Sequence, residues 1–370
     1  MSSVVLLAGA VGFVSSALAT VVVRGVARRI GFIDRPGGHK GHDTPIALGG
    51  GVALYLAICL PLLAGTLLAW MAGDGGPSGA WLHWIPALVL AHLEGVASKL
   101  PQVLAIVACC TVLLIVGLMD DRTPLGPAPK FAVQIAVALF TAAVMGIRAG
   151  EALGPIPSVA LTVFWIVLIT NAFNFLDNMD GLSAGVMTIA AVLLALTGWQ
   201  AGQIFVPVLA CVMAGGGLGF LLFNFSPASI FMGDAGSLVI GYLLSVLTIL
   251  TTFYDPAQGT RPLGVIVPLV VLAVPLYDVT SVVIHRIRAG QSPLVGDRRH
   301  FSHRLQGRGM STRAAVGTIY LATLATGLPA IALPRVDWPI AVLLLVQCCC
   351  VVLMIAILEH TGANADAPSP

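Results

Sequence analysis

Charge is scarce in this 370-residue chain, with only 9% of residues being Asp, Glu, Lys or Arg. A soluble domain carries about 25%. So few charges cannot solvate a globule of this length, whereas a 58% hydrophobic content and a mean hydropathy of +0.99 suit a bilayer. The net charge of +2 excludes a surface built to wrap a polyanion, so nucleic acid is not an expected partner. Cysteine is present but uninformative as a ligand. Cys59, Cys109, Cys110, Cys211, Cys348, Cys349 and Cys350 all fall inside apolar runs, without metal-ligand spacing to histidine. They read as small hydrophobes packed between helices. Walker loops, zincin helices and serine elbows are missing. The run Gly215–Gly219 reads as a helix-packing stripe rather than a nucleotide loop.

What is abundant is apolar sequence in long runs. A helix needs roughly 20 apolar residues to cross a bilayer. By that ruler the spans fall near 4–23, 47–70, 101–119, 131–147, 157–175, 183–199, 204–223, 236–253, 264–284, 314–333 and 339–358. The expected fold is therefore all-α, a polytopic membrane protein with about eleven transmembrane helices forming a single domain over 1–360. A disordered tail is expected at 361–370. The first run lacks a basic residue before it and reads as a retained span rather than a cleaved signal. Segment 81–97, with tryptophans at one end and His83, His92 and Glu94 within it, reads as an interfacial helix, the alternative being a twelfth span.

Loops alternate sides of the membrane. Fourteen of the 18 Lys and Arg follow odd-numbered spans, and only Lys99, Arg148, Arg261 and Arg335 follow even-numbered ones. The positive-inside rule puts the first group in the cytoplasm, the N-terminus outside and the C-terminus inside. The polar clusters sort to the same basic side. Thus one face of a plasma (inner) membrane protein is expected to carry the chemistry. A transporter, the rival of another class, more often places its polar groups near the bilayer midplane.

Five clusters stand on that face. The loop from Asp34 through Lys40 and His42 to the glycines 49–51 has two readings, a basic loop on lipid headgroups or an anion-binding loop in which Lys40 and backbone amides meet phosphate. Asp120 and Asp121 end a span of pure hydrocarbon, where two adjacent carboxylates are costly unless a cation joins them. Asn171, Asn174 and Asp177 step by three along one helix face, with Asp180-Gly181 turning the chain, and suit a hard cation with oxygen ligands. Asp234, between Gly233 and Gly236, reads either as a helix N-cap or as a ligand-facing acid. The long loop 285–313 holds Asp297, His300, His303, Arg304 and seven arginines in all, fit for phosphate or headgroups. Asp278, inside span 9, is a functional candidate by its depth, with pairing to Arg286 as the plain alternative.

Taken in order from about Asp34 to Ser311, these clusters resemble the polyprenyl-phosphate N-acetylhexosamine-1-phosphate transferase family. The resemblance implies transfer of a sugar phosphate from a UDP-N-acetylhexosamine, UDP-GlcNAc by preference, to undecaprenyl or another polyprenyl phosphate, with release of UMP. It implies magnesium, with manganese as the alternative. Asp120 and Asp121 match the family's acid pair, which engages metal or deprotonates the lipid phosphate. Asn174, Asp177 and Asp180 match its Asn-x-x-Asp-Gly-x-Asp-Gly segment, near nucleotide and metal. Asp234 matches the acid of Phe-Met-Gly-Asp, a magnesium ligand. His300 and His303 match the outer members of His-x-His-His, which contacts the diphosphate or sugar. Catalysis is thus expected from Asp120, Asp121, Asp177 and Asp180, metal binding from Asp234, Asn174 and Asp120, and substrate binding from Lys40, His42, Asn171, Asn174, Asp297, His300, His303 and Arg304. A homodimer is an open alternative. So are the related phospho-MurNAc-pentapeptide translocase activity and a cation-coupled transporter. Three positions depart from the family pattern: Ser302 for a histidine, Asn178 for a glycine and His39 for an arginine. Ser302 and His39 sit in loops that the resemblance implies contact the donor, so they bear most on the choice of sugar.

Overall fold

Inside hydrocarbon a chain must satisfy its own amides and carbonyls, and a long apolar run does so only as a helix. The computed structural model, which describes residues 2–35, 44–73, 93–292 and 300–360, accordingly is a bundle of long helices. In order they are α1 (Ser2–Ile30), α2 (Gly50–Gly73), the short α3 (Leu93–Ala97), α4 (Leu100–Arg122), α5 (Pro127–Leu139), α6 (Pro155–Leu176), α7 (Leu182–Gln200), α8 (Phe205–Asn224) and α9 (Gly233–Leu250). Then come α10 (Val267–Val271), α11 (Ala273–Arg288), α12 (Phe301–Gln306), α13 (Thr312–Gly327), α14 (Pro329–Ala332) and α15 (Trp338–His360). Ten of the helical stretches are long and apolar enough to cross a membrane, and α10 with α11 makes an eleventh, bent by 64°. The chain is a multi-pass membrane protein of all-α architecture.

The ninth span expected near 264–284 is thus present as a bent pair. Pro275, in the first turn of α11, has no amide to donate back to Val271, so the helix restarts there. Helix α1 runs seven residues past its apolar core, because Arg24, Arg28 and Arg29 extend a helix beyond the hydrocarbon without cost to it. Of segment 81–97, the described part is α3, joined to α4 through Ser98 and Lys99; the remainder lies outside the described residues. So does the tail 361–370.

Burial sorts the bundle. Helices α7 and α9 have 78% of their spanning windows buried, whereas α1 and α15 have 17%. The first pair forms the centre and the second faces lipid. Close approach of α1 to α8 is made by the glycine stripe: a Cβ at Gly215 would stand 2.0 Å from the Gly9 carbonyl oxygen, and one at Gly219 2.4 Å from that of Phe13. The stripe is helix packing, as its composition suggested.

A small ladder ties the first polar loop to the fourth. Strand β1 (Ile33–Asp34) pairs antiparallel with β2 (Ile46–Ala47), and Ala47 bridges in parallel to Ile230. Phe231 N donates to Ala47 O (2.9 Å), and the amides of Gly50 and Gly51 donate to the carbonyls of Phe231 and Met232 (2.9 Å each). β2, which follows the loop bearing Lys40 and His42, thus lies against the segment that delivers Asp234.

Candidate active site

Four helix ends meet where α9 begins. Asp121, at the end of α4, accepts from the amides of Asp234 (2.8 Å) and Ala235 (3.3 Å). It satisfies donors that the first turn of a helix leaves open, from another helix. Gly233 makes this approach available: its φ is +70°, and a Cβ there would stand 2.5 Å from Asp121 Oδ2. Asp234 itself does not cap α9, which has no side-chain cap bond. The N-cap reading of Asp234 is thereby set aside, and its carboxyl is turned to other partners.

Those partners are Lys130 and Asn174. Lys130, in the first turn of α5, donates to Asp234 Oδ2 (2.8 Å) and Asp120 Oδ2 (3.0 Å), bridging the two acids. The carboxyls of Asp120 and Asp234 are thereby held close enough to influence one another. The other oxygen of Asp120 accepts from Leu125 N (2.8 Å). Asn174 donates to Ser237 Oγ (3.0 Å) and also bonds the Asp234 carboxyl. Asp177, just past α6, feels the charges of Asp234, Asp121 and Asp180 and accepts from the Gly233 amide. Burial first, and these carboxylates next, push its carboxyl well above the ordinary range.

Asp120, Asp121, Asp177 and Asp234, from distant parts of the chain, therefore share one small region. Lys130 was missed as a site residue by sequence reading, which counted it only among the basic-side charges. Its signal was a lone ammonium at the mouth of an apolar span, behind Pro127 and Pro129.

The remaining candidates lie around this centre. Asp180 turns to the next loop, accepting from Ala228 N (3.0 Å), while the buried Asn224 accepts from Gly181 N (3.1 Å) and donates to Ile230 O (2.9 Å). Asn171 sits deeper in the bundle, donating to Gln134 of α5 and to Val167 O (2.7 Å). It lines an apolar groove of about 950 Å³ with Phe131, Ile135, Phe164, Phe175 and Val283.

On the far side of Phe175 lies a second polar group. Asp278 of α11, 1% exposed, receives the Phe301 amide on Oδ1 (2.9 Å) and faces His300 Nδ1 with Oδ2 (3.0 Å). Its partner is thus His300 rather than Arg286, whose guanidinium stacks 5.1 Å from the centre of the Phe175 ring. His300 meets the same ring edge-on at 5.7 Å, and His303 stands 6.5 Å from His300. Arg304 donates to Ser281 Oγ (2.9 Å). Lys40, His42, His39 and Asp297 lie outside the described residues.

The oxygen-only donor set suits a hard cation such as magnesium. Among the described residues no three acidic, histidine or cysteine side chains are grouped closely enough to hold an ion unaided. That too suits magnesium, which binds through one or two carboxylates together with water and substrate phosphates. Burial first, and the neighbouring carboxylates next, raise the Asp177 carboxyl, so positive charge brought to this region would be stabilised there. The residues fit such an ion.

Residues 103–252 match the sequence profile of glycosyl transferase family 4. The probable undecaprenyl-phosphate N-acetylglucosaminyl 1-phosphate transferase of Bacillus subtilis is 30% identical over 85% of this chain and 80% of its own length. The decaprenyl-phosphate N-acetylglucosaminephosphotransferase of Mycobacterium leprae is 34% identical over 85% and 80%. The chain belongs to glycosyl transferase family 4. The undecaprenyl-phosphate alpha-N-acetylglucosaminyl 1-phosphate transferase of Escherichia coli K12 is a further relative of this transferase, at 28% identity over 84% of this chain and 78% of its own. The family profile spans α4 to the end of α9, the stretch that contributes Asp120, Asp121, Lys130, Asn174, Asp177 and Asp234.

Proposed function

We propose that this transferase moves N-acetylglucosamine 1-phosphate from UDP-GlcNAc to a polyprenyl phosphate, releasing UMP, at the cytoplasmic face of the membrane. The observation that carries this reading is the pairing of Asp120 and Asp234 through Lys130, with Asp177 next to Asp234, beside an apolar groove. Two phosphate substrates repel one another, and a site for joining them needs positive charge at its focus. The relatives named above, each a polyprenyl-phosphate N-acetylglucosamine phosphotransferase, support the substrate pair.

In this reaction an oxygen of the lipid phosphate attacks the sugar-linked phosphorus of the nucleotide. The new P–O bond forms as the bond to UMP breaks, and the electron pair leaves with UMP. Asp120 takes up any proton left on the lipid phosphate, and direct attack needs no covalent enzyme intermediate. Asp234, Asn174 and Asp120 are the donors that would hold magnesium, or manganese in its place, which when bound screens the two phosphates and the charge of the leaving group. Lys130 holds Asp120 and Asp234 together, and Asp121 fixes the start of α9 so that Asp234 is correctly placed. Lys40, His42, Asp297, His300, His303 and Arg304 contact the nucleotide sugar and its diphosphate. Asp278 orients His300 by its Nδ1 and leaves Nε2 for that contact. The isoprenoid tail lies in the groove of α5, α6 and α11. The charge asymmetry of the loops supports an N-terminus outside and a C-terminus in the cytoplasm.

The test is release of UMP from UDP-GlcNAc by detergent-purified protein, with and without polyprenyl phosphate and magnesium. Release that requires all three components is expected. A protein that makes no lipid-linked sugar under these conditions, yet accumulates labelled substrate in sealed vesicles, would return the reading to a transporter.

A further inference from the structure

Two of the three departures from the family pattern touch each other. Ser302, in α12, is 2% exposed, and its hydroxyl donates to Asn178 Oδ1 across 124 residues of sequence. Asn178 in turn donates from Nδ2 to Phe175 O (2.6 Å), at the end of α6. The contact therefore fastens the histidine helix to the turn that carries Asp177 and Asp180.

The backbone explains why an asparagine is tolerated at 178. No non-glycine residue among those described has a positive φ, so the turn at 178 does not require glycine. A glycine there would serve space rather than conformation. Serine and asparagine together have as many side-chain non-hydrogen atoms as histidine and glycine together. A buried site keeps its packing when volume lost on one side is regained on the other. Ser302 and Asn178 thus fill one contact between α12 and the acid turn, a small residue on one side meeting a larger one on the other.

We propose that Asn178 and Ser302 act as one positioning unit, setting the spacing between the acid turn and the histidine helix. The unit fixes how far His300 and His303 stand from Asp177, and so how the diphosphate and sugar of the donor are held between them. Neither residue need touch substrate. The inference rests on the transferase reading above for its functional consequence, while the coupling itself is a property of the fold.

The experiment is a cycle of Asn178→Gly, Ser302→His and the double variant, read by UMP release and by thermal unfolding in detergent. Ser302→Ala serves as a milder probe that only removes the hydrogen bond. Ser302→His alone drives an imidazole against Asn178, and kcat is expected to fall about tenfold or more, with the KM for UDP-GlcNAc changing less. Asn178→Gly alone lowers kcat by a smaller factor. In the double variant kcat and melting temperature both return to near the parent values. Independent, multiplying losses of kcat would overturn the proposal. So would recovery of the melting temperature without recovery of kcat, which marks a packing contact and no more. If the parent protein releases no UMP, the transferase reading fails instead, and multiplying losses in an active parent protein fail only the present inference.

Discussion

In the acid centre, Asp120 and Asp234 share the Lys130 ammonium with Asp121 and Asp177 close by, whereas in the histidine centre one carboxylate, Asp278, meets one imidazole and one backbone amide. The Phe175 ring stands between the two, with Arg286 on its face and His300 at its edge. Both centres are partly or wholly out of water, so charge compensation governs each. The histidine centre has its hydrogen bonds satisfied within itself. The acid centre gathers four carboxylates with one ammonium, and burial together with that excess raises the carboxyl of Asp177. Such a centre is stabilised by whatever brings positive charge, which on the proposed function is magnesium arriving with the donor diphosphate. The histidine centre serves instead to hold a side chain still. The difference separates a group that gathers ligands from one that orients them.

The comparison breaks most severely if the acids are neutralised. Asp234→Asn and Asp120→Asn should each lower UMP release by on the order of a thousandfold while expression and folding persist. Near-parent turnover in both purified variants would refute their assignment. Next comes the cation that joins them. Lys130→Met leaves Asp120 and Asp234 facing each other across the lost bridge. Turnover should fall about a hundredfold, and the metal-free protein should melt at lower temperature, with magnesium recovering part of that loss.

In the histidine centre, Asp278→Asn keeps size but replaces one carboxylate oxygen by an amide. If that amide faces the ring it donates to Nδ1 and moves the ring proton to Nε2. Turnover should fall by about ten- to a hundredfold with little change in melting temperature, and nitrogen NMR of the His300 ring should report the changed tautomer. A parent-like spectrum together with lost activity would show that Asp278 does not act through His300.

A smaller effect sharpens the contrast by pH. Because Asp177 has a raised carboxyl in the folded protein, the folded state holds that proton more tightly than the unfolded chain does. Its stabilising contribution is fully present below the unfolded value of about 4 and is lost as pH rises through the folded one. Metal-free parent protein should therefore melt progressively lower as pH rises from about 4 upward. Asp177→Asn should flatten that slope, and an unchanged slope would place the excess charge elsewhere. The smallest effect is expected for the exposed pair Arg261–Asp337, 2.8 Å apart with side chains 57% and 72% exposed. Arg261→Ala should change stability by less than about 1 kcal/mol and leave turnover alone.

Much of the bundle was legible without coordinates. A run such as 183–199 can close its hydrogen bonds only within itself, so its length nearly fixes α7, Leu182–Gln200. The grouping of Asp120, Asp177 and Asp234 on one face was legible too, since loop parity follows from counting spans. The bend at Leu272 was harder: Pro275 was visible, but a proline inside an apolar run can kink, end or merely begin a helix, and neighbouring helices choose. Asn171 shows the limit of periodicity. It shares a helical face with Asn174, yet its amide goes to Gln134 of α5, whereas that of Asn174 goes to Ser237 of α9.

Local chemistry, carried along the chain, determined where this protein enters and leaves the membrane and which loops hold its acids. The fold alone decided who meets whom: Lys130 with two acids, Asp121 with the start of α9, Asp278 with His300, Asn178 with Ser302. A helix forms from bonds four residues apart, whereas each of those meetings depends on the relative height and rotation of separate helices, set by packing such as the α1–α8 glycine contact.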